Sequence, residues 1–395
     1  MAQAKADILI VDDTQANLSI LTLMLSERGY RTRPAINGQV ALKIVQNTRP
    51  DLILLDIMMP GLDGYEVCRQ LKANEKTRDI PVIFISALSD VLDKVKAFGV
   101  GGVDYITKPF EAQEVLARVE THLALQVVHR RMQDELTLAR EIQYGLLPLA
   151  CPNWPHLDVK CFTRPAREIG GDFYAYHDFE LGIFKTTNPK YAIAVGDVSG
   201  KGVSAALLMA ASLSQFDASF SQNLTPTERL AYLDKAIATY TKPRKQNCAM
   251  CYVEIEVRSK DINEDTLTPY SLLPTSISIV NAGCIPPYIK RVTGAVENPE
   301  IGGFALGQEL SGATGYQHLD LTLHKGDMVI LVSDGVVEAH NTQGGMVGFE
   351  SMITLIQNAP TSSAEDMLTY LKQAILAFTG NAEQHDDMTI VVARV

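Results

Sequence analysis

Four aspartates in glycine-rich or strand-end settings are the residues of this chain most suited to chemistry. Asp172 lies in Gly-Gly-Asp-Phe, Asp197 in Val-Gly-Asp-Val-Ser-Gly-Lys-Gly, and Asp334 in Leu-Val-Ser-Asp-Gly. Asp386 opens Asp-Asp-Met-Thr and precedes the strand-like run Ile390 to Val395. Each adjoins an apolar β-type segment, so each is expected at a strand end. Carboxylates gathered from four segments make a site for hard divalent cations. Two Mg²⁺ or Mn²⁺ ions about 3.5–4 Å apart, sharing one carboxylate and one water, would suit in-line hydrolysis of a phosphate ester. Asp197 is the expected bridge, helped by the main-chain carbonyl of Val198. Asp334 and Asp386 are expected on one ion, and Asp172 mostly through an intervening water. Asp387, beside Asp386, is a secondary candidate for the same site, with the alternative that its side chain points elsewhere, because neighbours along a strand alternate faces.

A second constellation lies upstream. Asp12 and Asp13 follow the apolar run Ile8 to Val11, and Asp56 follows Leu52 to Leu55. Ser86 ends Val82 to Ile85, and Lys108-Pro109 follows Val103 to Ile106. If these runs are parallel strands, all five polar positions converge on one sheet edge. Asp12, Asp13 and Asp56 then hold a Mg²⁺, and the Asp56 carboxylate is placed to attack phosphorus. Lys108 is a point charge for the phosphoryl oxygens and Ser86 offers them a hydroxyl. Tyr105 is expected to swing inward when Ser86 is drawn to the phosphate. Any one of these acids alone would read as a solvated loop carboxylate; five positions at matching strand ends make that improbable.

The elements that must position these groups divide the chain. Residues 1–125 alternate short apolar runs with helical stretches, the pattern of an α/β doubly wound parallel sheet. Residues 126–148 form a helical linker. Val128, Met132, Leu136, Ala139, Ile142 and Leu146 make one stripe along it, with charged residues opposite. Two readings stand: a helix packed on its neighbour, or a short coiled coil that joins two copies. Pro148, Pro152 and Pro155 end the helix. Residues 149–395 mix hairpins with helices at Ser204 to Phe216, Pro226 to Tyr240 and Ala364 to Phe378, an α+β layered domain. Asp261 to Thr275 reads as a polar loop inserted in a hairpin.

Composition narrows the classes. The 395 residues carry a net charge of −11, which disfavours nucleic acid as the main partner. No apolar run reaches the ~20 residues of a membrane span, and the N-terminus lacks a signal-peptide pattern, so a cytoplasmic protein without membrane contact is expected. Six cysteines do not make a disulfide framework, and Cys248-x-x-Cys251 lies in a strand-like run that suits a structural role.

The upstream motifs resemble the receiver domain of two-component response regulators, the CheY-like family. They are Asp12-Asp13, Leu55-Asp56-Ile57-Met58-Met59-Pro60-Gly61-Leu62-Asp63-Gly64, Ile85-Ser86-Ala87 and Lys108-Pro109-Phe110. The resemblance implies a five-stranded sheet, phosphorylation of Asp56 by a histidine kinase, and a cis Lys108-Pro109 bond. The downstream motifs resemble the SpoIIE-like branch of the type-2C (PPM) metal-dependent Ser/Thr phosphatases. They include Arg164 to Tyr174, Gly196 to Ala206, Asn281-Ala282-Gly283, Gly303 to Gly307, Ser333 to Glu338 and Asp386 to Thr389. Ala139 to Pro148 is similar to the helix that leads into such domains. This resemblance implies an α-β-β-α sandwich that removes phosphate from Ser or Thr of a protein, commonly an anti-sigma-factor antagonist. The family often has His after Asn-Ala-Gly, where this chain has Cys284. Arg167 suits bidentate phosphate binding or a surface ion pair with Glu168.

The combined expectation is a response regulator whose receiver controls a Mn²⁺/Mg²⁺-dependent phosphatase, dimeric through the linker helix. The competing expectation is a pseudophosphatase that sequesters a regulatory protein; retention of all four acids favours catalysis. A diguanylate cyclase reading of Gly-Gly-Asp-Phe leaves the Asp-Gly and Asp-Asp-Met-Thr elements unexplained.

Overall fold

Short apolar strands alternate with helices through the first third of the chain. They are β1 (Asp7–Val11), α1 (Gln15–Glu27), β2 (Arg31–Ala35), α2 (Gly38–Asn47), β3 (Leu52–Asp56), α3 (Gly64–Ala73), β4 (Val82–Ser86), α4 (Val91–Gly99), β5 (Asp104–Thr107) and α5 (Ala112–Leu146). The computed structural model describes residues 4–87, 91–148, 150–181, 188–257, 275–310 and 315–395. They belong to two units, Met1–Glu135 and Leu136–Val395.

In the first unit the strands pair in parallel, in the order β2-β1-β3-β4-β5. Leu9, Val11, Ile53, Leu55 and Phe84 pack on one face with Val45 of α2 and Val67 and Leu71 of α3. Ile8, Ile10, Leu52, Leu54, Ile83 and Ile85 pack on the other with Leu18, Leu21 and Leu25 of α1 and Val115 and Val119 of α5. Burial on both faces explains why β1, β3 and β4 are continuous apolar runs rather than alternating ones. The edge strand β2 reads Arg-Thr-Arg-Pro-Ala and gives no apolar signal. A proline and charged side chains are tolerated there because one side of the strand has no ladder to complete. Its Arg33 is tied to Asp7 at 2.7 Å.

Helix α5 has 35 residues, roughly 50 Å at 1.5 Å per residue, and begins in the first unit and ends in the second. The expected apolar stripe is largely open to solvent: Val128 is 63 % exposed, Met132 62 %, Ile142 60 % and Leu146 50 %. The helix is anchored near its ends instead, by Val115 and Val119 at one and by buried Gln143 and the following Leu147 at the other.

The second unit contains β6 (Asn153–Trp154), β7 (Leu157–Arg164), β8 (Phe173–Asp178), β9 (Lys190–Val198), α6 (Val203–Ser219), α7 (Pro226–Thr241), β10 (Cys248–Glu256), β11 (Thr275–Ala282), β12 (Tyr288–Lys290), β13 (Val296–Glu297), β14 (His318–Leu323), β15 (Met328–Val332), α8 (Asp334–Val337), α9 (Gly348–Asn358), α10 (Ala364–Thr379) and β16 (Met388–Arg394). One sheet runs β14-β11-β10-β9-β8 and the other β13-β12-β15-β16-β7-β6. Val329, Leu331, Val391 and Ala393 of the second sheet meet Val195, Tyr252, Ile279 and other residues of the first in one core, which α6 and α7 extend. The alternate residues Met328, Ile330, Ile390 and Val392 face Met352, Ile356, Met367 and Leu371 of α9 and α10. The period of two along β15 and β16 thus builds the α-β-β-α layering. Thr225 starts α7 with a capping box to Glu228, and Pro226 occupies the first turn. The segment read as a hairpin loop, Asp261 to Thr275, lies outside the described residues except for Thr275, which begins β11.

Candidate active sites

The parallel sheet of the first unit brings its polar residues to the carboxyl ends of β1, β3, β4 and β5. Ligand oxygens of Asp12, Asp13 and Asp56 lie within 4.8 Å of one another. Asp12 and Asp56 are buried and Asp13 is exposed, so the trio opens to solvent on one side. Lys108 Nζ bridges Asp12 Oδ2 and Asp56 Oδ2, each at 2.8 Å. Asn17 Nδ2 donates to both oxygens of Asp12 at 3.0 Å, and the Thr14 amide donates at 2.8 Å. Burial pushes the Asp56 carboxyl above its ordinary range, and Lys108 only partly offsets this. Burial also acts against the Lys108 charge, but Asp12 and Asp56 together outweigh it and raise its pKa. Ser86 and Tyr105 are both buried, Ser86 at the end of β4 and Tyr105 on β5. Tyr105 is therefore already inward-facing. The Lys108-Pro109 bond is cis.

In the second unit the two sheets contribute two pairs of acids. Phe173 of β8 pairs with Gly196 of β9, so extending that register by one step sets Asp172 opposite Asp197. Val332 of β15 pairs with Ile390 of β16. Beyond that pair the Ser333 amide donates to Thr389 O at 3.0 Å, and the Thr389 amide donates to Ser333 Oγ at 2.9 Å. This cross-tie holds Asp334, the first residue of α8, close to the segment that carries Asp386.

The acids of both pairs sense one another. Burial raises the Asp197 carboxyl to about 7, with further contributions from Asp334, Asp386 and Asp387. Asp172 is pushed well up by burial and then by Asp197, against the opposing effect of the Ser333 and Thr389 hydroxyls. Asp334 is raised by burial, then by Asp386 and Glu338. Both carboxylate oxygens of Asp172 are buried without a hydrogen-bond partner. Buried polar atoms are nearly always satisfied, and acids this crowded cannot all ionise without a cation among them. The residues therefore fit divalent metal. Among the described residues, the receiver trio is the one set of three or more potential ligands with all ligand atoms within 4.8 Å. The acids of the second unit do not meet that distance as a set of three.

A family model for stage II sporulation protein E (SpoIIE) matches residues 187–395, more than half of the chain. The chain belongs to the SpoIIE family. A model for the response regulator receiver domain matches residues 8–120 ahead of the SpoIIE region. The SiaA-PP2C domain of Pseudomonas aeruginosa shares the fold with a TM-score of 0.54 at 20 % identity, covering 68 % of this chain and 98 % of that one. The DNA-binding dual master transcriptional regulator RpaA of Synechocystis is 41 % identical over 116 residues, 29 % of this chain and 48 % of that protein. The response regulator PleD of Caulobacter vibrioides is 41 % identical over 123 residues, 31 % of this chain and 27 % of that protein. The chain thus spans less than half the length of these curated relatives. The chain joins a response regulator receiver domain to a SpoIIE-family region with the fold of the SiaA-PP2C domain.

The roles of Asp387 and Gln143 in the SpoIIE-family region escaped the sequence patterns. Asp387 accepts the amides of Ala166 at 2.7 Å, Gly171 at 2.6 Å and Asp172 at 3.3 Å. It organises the turn that carries Asp172, while its neighbour Asp386 meets Lys201 Nζ at 3.3 Å. Gly170 and Gly335 must be glycine because Asp387 is so close. A Cβ on Gly170 would stand 2.2 Å from Asp387 Oδ2, and one on Gly335 2.0 Å from Asp387 O. From α5, Gln143 Nε2 donates to Gly170 O at 2.6 Å and Oε1 accepts from Gly170 N at 3.2 Å. Arg167 is exposed, and among the described residues it forms no salt bridge, with Glu168 or any other acid. Burial pushes the Cys284 thiol well above its ordinary range, which disfavours a thiolate nucleophile. Cys248 and Cys251 are fully buried on β10 with thiols pushed up to about 12 by burial, in keeping with core packing.

Proposed function

We propose that the protein is a phosphorylation-controlled, metal-dependent protein phosphoserine/phosphothreonine phosphatase. The observation that carries this reading is the buried, unpartnered carboxylate of Asp172 facing Asp197, coupled electrostatically to Asp334 and Asp386. Asp197 is the proposed shared ligand of two Mn²⁺ or Mg²⁺ ions, with the Val198 carbonyl beside it; Asp334, Asp386 and Asp172 complete the set. Bound there, the ions would lower the pKa of a water and offset charge on the phosphoryl oxygens. Asp387 and Gln143 hold the Asp172 turn, so the carboxylate needs no reorganisation when its charge is used. Arg167, exposed, without a salt bridge among the described residues and five residues before Asp172, is the proposed contact for the substrate phosphate. In the overall reaction a P–O bond to water forms, the P–O bond to the seryl oxygen breaks, and that oxygen leaves as a protonated hydroxyl.

The receiver supplies control. Asp56 is proposed to take a phosphoryl group from a phosphohistidine of a histidine kinase: its carboxylate attacks phosphorus, the P–N bond breaks, and the imidazole, protonated on its other ring nitrogen, takes the electron pair and leaves neutral. Asp12 and Asp13 with Asp56 would hold the Mg²⁺ for this step, and Lys108, already 2.8 Å from Asp56, would pair with the product. Ser86 and Tyr105 would register the change. The exposed stripe of α5 is proposed to join two copies, and the substrate is proposed to be a regulatory phosphoprotein of the anti-sigma-factor-antagonist kind, met in the cytoplasm.

The test is release of phosphate from a phosphoserine protein by the full chain with Mn²⁺, with and without a small acyl-phosphate donor. Wild type is expected to be active and to respond to the donor. Asp56→Asn should be active without responding, and Asp197→Ala should lose activity by at least a hundredfold. Undiminished hydrolysis by Asp197→Ala would refute the assignment.

A further inference from the structure

We infer that Gln143 is a positioning residue of the phosphatase site: its side-chain amide fixes Gly170 and thereby places Asp172 for metal. The inference deepens the reading above and depends on it. Neither carboxylate oxygen of Asp172 has a hydrogen bond of normal geometry, although the Ser333 and Thr389 hydroxyls lie near enough to favour its charge, so its side chain is aimed mainly by its backbone. That backbone belongs to the turn between β7 and β8. Among the described residues, no backbone–backbone hydrogen bond outside the regular elements involves residues 165–172. The turn is held by side chains instead. Asp387 accepts three of its amides, and Gln143 satisfies both the N–H and the C=O of Gly170.

Gln143 is suited to little else. It is 8 % exposed on a helix whose neighbouring positions Ile142 and Leu146 are at least half exposed. A buried glutamine keeps its place when every polar atom is used, and here each end of the amide is. No carboxylate or ammonium could both donate to the carbonyl and accept from the N–H. Gly170 admits no side chain because of Asp387, so the turn cannot be anchored there from its own residue. Gln143, Gly170, Asp172 and Asp387 also line one small cavity, which places the clamp directly beside the ligand it serves.

The experiment compares Gln143→Met with the unaltered residue in the full chain. Both proteins carry Asp13→Ala, to silence the receiver metal site. Methionine keeps the length and helix propensity of glutamine and removes the amide. Outer-shell partners of metal ligands are commonly worth about 10–100-fold in affinity. Calorimetric titration with Mn²⁺ should therefore show binding weakened by about that factor, and kcat on p-nitrophenyl phosphate should fall more than KM rises. The melting temperature without metal should stay within a few degrees of the parent. Hydrogen exchange in metal-free protein gives a readout that needs no variant: the Gly170 amide should be protected, and in Gln143→Met it should exchange faster. Equal Mn²⁺ affinity in the two proteins, or a Gly170 amide as labile as an open loop, overturns the inference. A parent protein that binds no Mn²⁺ overturns the phosphatase reading itself, and the two failures are distinguishable.

Discussion

Asp386 and Asp387 are chemically identical neighbours with opposite tasks. Asp386 meets Lys201 and the electrostatic field of Asp197 and Asp334. Asp387 turns the other way and spends both oxygens on main-chain amides. Both residues lie in the bend just before β16, where the backbone sends the two side chains to different partners. It gives the two positions different mutational signatures. Asp387→Asn keeps one acceptor oxygen but sets an NH₂ against a backbone N–H. It should destabilise the metal-free protein by about 1–3 kcal/mol, the usual cost of leaving a buried donor unpaired. Urea unfolding in the presence of chelator measures this. A stability equal to wild type would mean that the three amides find other acceptors.

Among the elements, α9 shows how a helix end can be completed by a side chain far away in sequence. Lys290 of β12 is buried, and its Nζ donates to Ile356 O at 2.7 Å, Gln357 O at 3.1 Å and Ala359 O at 2.5 Å. Burial lowers its pKa, yet these last-turn carbonyls are the groups a helix leaves unsatisfied and favour a cation. Lys290→Met should cost about 1–3 kcal/mol, because two buried acceptors and a partly buried one lose their donor; thermal melts of the two proteins decide it. No pattern around Lys290 announces this contact, because the partner carbonyls lie 66 to 69 residues away. The same limit hid Gln143, which answers a backbone group 27 residues downstream. Arg229 and Glu254, fully buried with Lys190 on the same carboxylate, were hidden likewise. Legible features were those written locally. Asp12, Asp56, Ser86 and Lys108 each sit at the end of an apolar run, and parallel pairing alone brings them together. Capped helices such as α7 were legible from Thr225 and Pro226. Strand β2 was not, since an edge strand with one open side has no need of apolar residues. The stripe on α5 was visible, but its periodicity could not tell whether the chain covers it; among the described residues Val128, Met132, Ile142 and Leu146 are left exposed.

For the whole molecule, a single helix of 35 residues runs from the unit with Asp12, Asp13 and Asp56 into the unit with Asp172, Asp197, Asp334 and Asp386. A continuous α-helix is stiff to bending and has a definite phase. Each residue added to it turns everything downstream by about 100° and advances it about 1.5 Å. Seven residues come within about 20° of the starting phase, whereas two or three leave it far off. Response to the acyl-phosphate donor should therefore survive a seven-residue insertion in the exposed stretch between Arg130 and Glu135 and be lost on inserting two or three. The activity assay with and without donor reads this directly. Equal loss at every insertion length would point to distance, and retention at every length to a flexible tether. Under that outcome α5 acts less as a spacer than as a keyed shaft, and what its exposed middle has to keep is residue count modulo a turn.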